Sequence, residues 1–265
     1  MNEDRGTLIA ICLISAILLS SIFLLPSQAT SAPGTSGGSS LKTMKQPLGA
    51  GYGVSSSSGS VTGVSVSFVI PKVTCNSTAP TGQAVYFVAA LDGLKSSDFE
   101  YVGVGAYCQQ GPNPVEYFAL ASSANIYDHI SGEIPVKLGD TIEASIEVSS
   151  GTLHLTFSDI TTGRSAANTA SASGLALNFG SCLVGMGSPL AKFAKTSIGE
   201  DYTLVPSTCD ATVNGVSQHI GDFTGSGQQL WELVMVNGEG TRVLAIPSAL
   251  SYDGSSFTVT WQRAD

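Results

Sequence analysis

The strongest constraint on the fold is an alternation of apolar and polar residues in the chain after residue 49. Apolar residues occupy every second position in the segments 64–70, 141–148, 153–157 and 257–261. Successive side chains of a β-strand point to opposite faces of its sheet. The period of two therefore predicts strands that bury one face and leave the other in water.

Turn-forming pairs separate these segments and complete the pattern of an all-β chain. The pairs are Asp92-Gly93, Gly111-Pro112, Gly139-Asp140, Thr162-Gly163, Asn237-Gly238 and Asp253-Gly254. Such pairs favour tight connections between antiparallel strands. No segment after residue 33 shows a helical stripe with caps. The sequence thus predicts one antiparallel β-sandwich domain over residues 49–265.

An uncharged apolar run, residues 7–25, precedes this domain. About 20 such residues can cross a bilayer as a helix. The run is longer than the apolar core of an ordinary signal peptide, which favours a retained anchor, whereas Pro26 and the small residues after it favour cleavage. Residues 1–32 are therefore interpreted as a signal peptide or an N-terminal membrane anchor. Both alternatives predict an extracellular or cell-surface protein, and the Ser/Gly-rich segment 33–48 is predicted to be a flexible linker.

The charge balance argues against nucleic acid as a partner. The chain has a net charge of −9 and a pI of about 4.6. Nucleic-acid binding requires a basic surface, which this composition does not supply. Charged residues make up only 12% of the chain, against about 25% in ordinary domains. Few carboxylates means few groups whose protonation alters stability, so the composition suits an acid-stable protein.

The cysteines after the apolar run predict disulfides. They are Cys75, Cys108, Cys182 and Cys209, an even number in an exported domain. Three pairings are open, and the shortest loops favour Cys75–Cys108 with Cys182–Cys209. Asn76 begins a glycosylation sequon.

The same residues give no reason to expect a metal or a cofactor. No Cys-x-x-Cys or His-Glu-x-x-His spacing is present. The three histidines, at 129, 154 and 219, are far apart in the sequence. The sequence therefore predicts no metal site and no cofactor.

Several phrases in order along residues 49–265 resemble the glutamic peptidase (eqolisin) family. They are the strand 61–74 with its Ile-Pro step, Val88-Ala-Ala-Leu-Asp-Gly at 88–93, the aromatic strand 117–123, the Gly-Asp turn within 135–142 and the closing hairpin 251–261. The resemblance implies a concanavalin A-like jelly roll with a groove on the concave face of one sheet. It also implies the family's activity, endopeptidase cleavage in acid.

The family's catalytic residues are not retained at the matching positions. The family uses a Glu as general acid and base and a Gln that polarises the scissile carbonyl. The Gln position falls on Tyr101 or Val102, and the two acidic positions of the later strand fall on Ser181 and Gly185. The resemblance thus implies a member without the catalytic pair.

Two other carboxylates are weak substitutes for the missing Glu. Glu100 adjoins the Gln position, and a slip of the strand by one residue would turn its side chain to the other face of the sheet. Glu116 has the same strand parity as Phe118, Leu120 and Ser122, so its side chain is expected to face the edge of the groove. The implied groove would be lined by a set of mostly apolar side chains. The candidates for this lining are Val88, Tyr101, Phe118, Leu120 and Ser122.

Three functions remain open from the sequence. The first is a surface protein that binds an extended peptide or a glycan without cutting it, in effect a pseudoenzyme. The second is a diverged acid endopeptidase, a hydrolase with relocated Glu and Gln. The third is a subunit of an extracellular coat or filament that pairs sheet edges. The sequence does not specify the oligomeric state, and a membrane partner is expected only if residues 7–25 are retained.

Overall fold

The structure is a computed structural model, and it describes nine segments of the chain. They are residues 40–57, 60–73, 83–93, 99–108, 115–123, 126–128, 134–186, 203–204 and 206–262. The predicted signal peptide or anchor, Cys75 and the sequon at Asn76 lie outside these segments. In the described segments no helix is long and apolar enough to cross a membrane.

The described residues form two β-sheets, the larger with 11 strands and the smaller with six. The strands of the large sheet are β1 (Lys42–Gln46), β2 (Ala50–Ser56), β4 (Gln83–Asp92), β5 (Phe99–Cys108), β6 (Val115–Ser123), β7 (Ile126–Asp128), β11 (Phe179–Met186), β12 (Thr203–Leu204), β15 (Gln228–Val236), β16 (Val243–Pro247) and β17 (Val259–Trp261). The strands of the small sheet are β3 (Val61–Val69), β8 (Thr141–Ser149), β9 (Thr152–Asp159), β10 (Arg164–Ser171), β13 (Pro206–Val213) and β14 (Val216–His219). Within the described segments a 3-10 turn, Ile220–Asp222, follows β14.

Strand order places β2 and β11 at the centre of the large sheet. Its order is β12-β17-β16-β15-β2-β11-β4-β5-β6-β7, and β1 pairs with β15 outside this path. The order of the small sheet is β10-β9-β8-β3-β13-β14. The pairing of β1 with β15 is parallel, and the other described pairs are antiparallel.

The main core lies between the inner faces of the two sheets. Phe68 of β3 meets Phe87 of β4 there, with ring centroids 6.0 Å apart. Alternate residues are buried in this core in β3 from Val64 to Phe68, in β8 from Ile142 to Ile146 and in β9 from Leu153 to Phe157, which confirms the strands predicted from the alternation. Phe257 is also buried, but the last strand begins later than predicted, at Val259. The predicted antiparallel β-sandwich is thus confirmed for the described residues.

A disulfide joins the two sheets through this core. Cys182 of β11 is bonded to Cys209 of β13, with the Cα atoms 6.1 Å apart. This confirms one of the two bridges favoured by loop length. The other, Cys75–Cys108, remains a prediction because Cys75 lies outside the described residues.

The last part of the predicted linker 33–48 is not a linker. Residues 42–46 form β1, which pairs with β15 from Lys42 opposite Trp231 to Gln46 opposite Met235. Met44 packs against apolar side chains of the large sheet. Pairing and packing therefore order a segment whose local sequence has no strand pattern, and the sheet begins before residue 49.

Candidate functional site

The outer face of the large sheet carries a second apolar cluster, separate from the inter-sheet core. Its buried members, each at most 7% exposed, are Val88, Ala90, Tyr101, Leu120, Phe179, Leu183 and Leu233. Partly buried side chains surround them, namely Met44, Tyr86, Phe99, Phe118 and Trp231. An apolar face with several partly exposed aromatic side chains is a typical binding surface. We call this set the outer-face cluster.

One row of residues crosses the outer face at right angles to the strands. Ser181 on β11 pairs with Ala90 on β4, Ala90 with Tyr101 on β5, and Tyr101 with Ser122 on β6. In the opposite direction Ser181 pairs with a glycine of β2, Gly53. We call this line of residues the site row. Tyr101, one of the two positions that the resemblance offers for the Gln, and Ser181, one of its two acidic positions, thus lie in one row about 10 Å apart, two strand spacings.

The remaining groove candidates also lie on the outer face. Val88 and Leu120 belong to the row next to the site row, on either side of Gly103. Phe118 lies one row further, opposite Gly105. Val102, the alternative Gln position, is instead buried in the inter-sheet core. The structure therefore brings together four of the five groove candidates in or beside the outer-face cluster, with Ser122 at the end of the site row.

The second acidic position, Gly185, has no room for a side chain. A Cβ atom built on Gly185 would collide with the backbone carbonyl oxygen of Leu48. The chain approaches this strand so closely that only glycine fits without a shift of the backbone. A carboxylate at this position is therefore incompatible with the present packing.

The two substitute carboxylates lie away from the site row. Glu100 is buried, and its parity with Val102 and Val104 places it on the inner face of β5, opposite to Tyr101. Glu116 is exposed and lies on the outer face, where it pairs with Tyr107. Glu116 is six residues from Ser122, a separation of about 20 Å along a strand. Neither carboxylate reaches the site row in this arrangement.

Asp92, which sequence reasoning treated only as a turn residue, fixes the start of β11. Its carboxylate accepts hydrogen bonds from the backbone N–H groups of Ala176, Leu177 and Asn178, at 2.8, 3.2 and 3.2 Å. Asp92 is buried and has a φ of 62°. Asp is among the few residues that tolerate this conformation. The Asp-Gly pair in the sequence indicated the turn. It did not indicate the hydrogen-bond donors to the Asp92 carboxylate, which are more than 80 residues away in the sequence.

Aromatic rings build the partly exposed rim of the outer-face cluster. Tyr101 lies between Tyr86, with ring centroids 6.1 Å apart, and Phe99, at 4.9 Å. The indole N–H of Trp231 donates a hydrogen bond to Ser55 Oγ at 2.9 Å, and Lys42 Nζ lies 5.6 Å from the Trp231 ring centroid. Large rigid rings provide contact area at a low cost in conformational entropy, which suits a binding surface.

A small apolar pocket opens beside Tyr101. It has a volume of about 20 Å³ and is lined by Leu48, Tyr86, Val88, Phe99, Tyr101, Leu183 and Gly185. This volume accommodates roughly one water-sized group. The pocket therefore admits a small side chain, while larger groups require the surrounding rings to move.

The outer face of the small sheet has the opposite character. It holds a polar depression of about 310 Å³ lined mostly by serine and threonine hydroxyls, together with Glu143 and Asp210. His219 Nδ1 lies 2.6 Å from Asp210 Oδ1. The described residues contain no group of three His, Cys, Asp or Glu side chains that could hold a metal ion. This face is a solvated polar surface rather than an apolar binding surface.

Replacement of His219 by Gln is expected to alter the pH dependence of stability. The hydrogen bond to Asp210 raises the pKa of His219 above 6.5, and the charges of Asp210, Asp222 and Asp253 add to this effect. The charged imidazole therefore stabilises the fold fully below about pH 6.5, and this contribution is lost as the pH rises through the raised pKa. Urea unfolding from pH 5 to 9 should give a higher free energy of unfolding for the wild type than for His219→Gln at low pH. This difference, the gap in stability, should close at high pH. A gap that stays constant over this range would contradict the assignment.

The comparison with known proteins agrees with this fold. Solved structures of similar fold include scytalido-glutamic peptidase with a transition state analog inhibitor, with 15% identity, 81% of this chain and 98% of that chain covered, and a TM-score of 0.62. Another is SCP-B, a member of the eqolisin family in complex with the tripeptide Ala-Ile-His, with 17% identity, 81% and 98% coverage, and a TM-score of 0.58. A third is aspergilloglutamic peptidase from Aspergillus niger, with 20% identity, 68% and 99% coverage, and a TM-score of 0.53.

The sequence itself identifies the family. No curated protein matches the chain by sequence. The Peptidase A4 family, in contrast, matches residues 48–196, more than half of the chain's 265 residues. This match spans β2 to β11, and thus includes all residues of the site row. The chain therefore belongs to the peptidase A4 family of glutamic peptidases.

Proposed function

We propose that this chain is a non-catalytic member of its family that binds apolar segments of extended polypeptides on the outer face of the large sheet. One observation carries the proposal. The site row contains Ser181 and Tyr101 where the resemblance expects Glu and Gln. The scaffold and its apolar surface are retained, whereas the chemical groups for hydrolysis are not found in this row.

The residues of the site row do not replace the missing chemistry. Acid peptide hydrolysis of this type requires a carboxyl group to activate water and a donor to stabilise the developing oxyanion. A free phenol titrates near pH 10, so a phenol cannot act as a base in acid. A serine acts as a nucleophile only when a neighbouring base activates it. Among the described residues, Ser181 Oγ has no hydrogen-bond partner.

Two carboxylates on strands of the site row have other roles or positions. Asp92 is engaged by three backbone N–H groups that hold the start of β11. Glu116 lies about 20 Å from the row along β6. A carboxylate with a glutamine beside it around one water is therefore not formed by the described residues of the outer face.

A polypeptide is the ligand best suited to this surface. The partly exposed aromatic rings of the outer-face cluster offer apolar contact area. The strands beneath these rings have the same extended conformation as a bound peptide, so the side-chain spacing of the two matches. Related structures of the same fold hold a peptide-based transition state analog and the tripeptide Ala-Ile-His. Loss of the catalytic pair removes cleavage without removing such a surface.

The disulfide supports a location outside the cytoplasm. Cys182–Cys209 is a buried bridge between the sheets, and such bridges persist in oxidising compartments. Together with the apolar run at 7–25, this favours an exported domain that meets its polypeptide ligand at the cell surface or beyond.

Binding without cleavage is the expected result when the exported domain is incubated with reduced, carboxymethylated α-lactalbumin from pH 2 to 7. Gel electrophoresis and mass spectrometry should detect no new fragments, because the site row lacks a general base. Fluorescence or calorimetric titration should detect saturable binding, since this unfolded protein offers extended apolar segments. The matched control is Tyr101→Ala, which removes part of the aromatic surface and should weaken binding.

Two outcomes would overturn the proposal. Fragments that disappear in the Glu116→Ala or Glu100→Ala variant would establish a diverged peptidase with relocated carboxylates. Absence of both binding and cleavage by the folded domain would exclude a polypeptide-binding function for this surface.

A further inference from the structure

We infer that the Ser181 hydroxyl anchors the main chain of the bound polypeptide, an inference that rests on the function proposed above. Ser181 is only 1% exposed, yet its Oγ atom has no hydrogen-bond partner among the described residues. It lies on the outer face of β11, in the site row between Gly53 and Ala90. A buried hydroxyl without a partner in the middle of a binding surface is a group available to a ligand.

Such a hydroxyl lowers the stability of the free protein. A buried polar group without a hydrogen bond is less stable than an apolar group of the same size at the same place. Native proteins keep few such groups, and each one calls for an explanation. Alanine would fit the position without steric cost, because it removes a single atom. A hydrogen bond formed only in the complex explains why the hydroxyl is tolerated.

Local packing shows how a ligand reaches Ser181. Its two neighbours in the site row, Gly53 and Ala90, carry no side chain beyond Cβ. The space beside Ser181 is filled instead by Phe179, whose ring tip lies 2.5 Å from the place where a Gly53 Cβ would stand. Phe179 is apolar and belongs to the outer-face cluster. A rotation of this ring, compensated by apolar contacts with the ligand, uncovers the hydroxyl.

The neighbouring pocket indicates which polypeptide segment fits. Leu183, which lines the pocket of about 20 Å³, is the next residue after Ser181 on the same face of β11. Residues on one face of a strand are about 7 Å apart. An extended chain with a small aliphatic side chain in the pocket therefore places a main-chain carbonyl one or two residues away within reach of Ser181. The ligand is thus an extended segment that carries a residue such as alanine next to the anchored carbonyl.

The test compares Ser181→Ala with the wild type in binding to reduced, carboxymethylated α-lactalbumin. The variant should bind with a Kd about five- to tenfold higher, the effect of one net hydrogen bond. Thermal unfolding of the free variant should show a Tm equal to or above that of the wild type, because an unsatisfied buried hydroxyl is gone. A merely structural serine would not give weaker binding together with unchanged or higher stability.

Ser56→Ala is the matched control. Ser56 is also buried with an unpartnered hydroxyl, but its parity with Val54 places it on the inner face of β2. Its replacement should affect Tm in the same direction and leave Kd unchanged. If the wild type binds and Ser181→Ala has the same Kd, the anchoring role of Ser181 is overturned, while the proposed polypeptide binding stands. A lower Tm in Ser181→Ala would also overturn the anchoring role, and absence of binding by the wild type would overturn the proposed function with it.

Discussion

Replacement of Asp92 by Ala is expected to lower the free energy of unfolding by about 3–4 kcal/mol. Three hydrogen bonds from backbone N–H groups to the carboxylate are lost, each with a net value of about 1 kcal/mol. Alanine must also adopt the φ of 62° at this position, which costs about 1 kcal/mol for a residue other than Gly, Asn or Asp. Urea unfolding at neutral pH measures the change directly.

The Asp92→Asn variant separates the two contributions. Asparagine tolerates a positive φ and keeps one acceptor oxygen, so it should lose less stability than alanine. Because Asp92 sets the segment before β11, the alanine variant should also weaken binding to carboxymethylated α-lactalbumin. Equal stability of the wild type and Asp92→Ala would show that the three hydrogen bonds are replaced by water at no cost.

Much of the fold could be predicted because local patterns decide it. The alternation in β3, β8 and β9 follows from one buried and one solvated face, and this requirement acts within each strand. Strand β1 could not be predicted in this way. Its lysines and its Ser/Gly-rich surroundings resemble a linker, and only its pairing with β15 and the packing of Met44 order it.

The site could be predicted in part, since family resemblance carries information on register. It offered Tyr101 or Val102 for the Gln and Ser181 and Gly185 for the acidic positions. Of these, Tyr101 and Ser181 lie in one row across three strands. Two features of the site have no local signal. The bonds from Asp92 to residues 176–178 and the unpartnered hydroxyl of Ser181 depend on contacts between segments distant in the sequence. The face of Glu100 was likewise left open until the pairing of β5 was known.

Removal of the Cys182–Cys209 disulfide should be the other change with a large effect. The double variant Cys182→Ala/Cys209→Ala is expected to lose about 3.5 kcal/mol, as loop-closure entropy predicts for a separation of this size. The two cysteines are separated by 27 positions in the sequence, and each is at most 1% exposed. For a domain of this size the loss corresponds to a decrease in Tm of about 10 °C. Calorimetry in the absence of reductant measures it.

The position of the bridge also predicts where the loosened structure appears. Cys182 follows Ser181 directly on β11, while Cys209 lies on β13 of the other sheet, so the bridge holds the strand of the site row against the core. Amide hydrogen exchange in the double variant should therefore increase first in β11 and β13. The edge strand β10 is a suitable internal reference, because it lies four strands from β13 in the small sheet and does not belong to the sheet of β11. A uniform increase over all strands would show that the bridge acts only on the unfolded chain, whereas an unchanged Tm would contradict a stabilising role altogether.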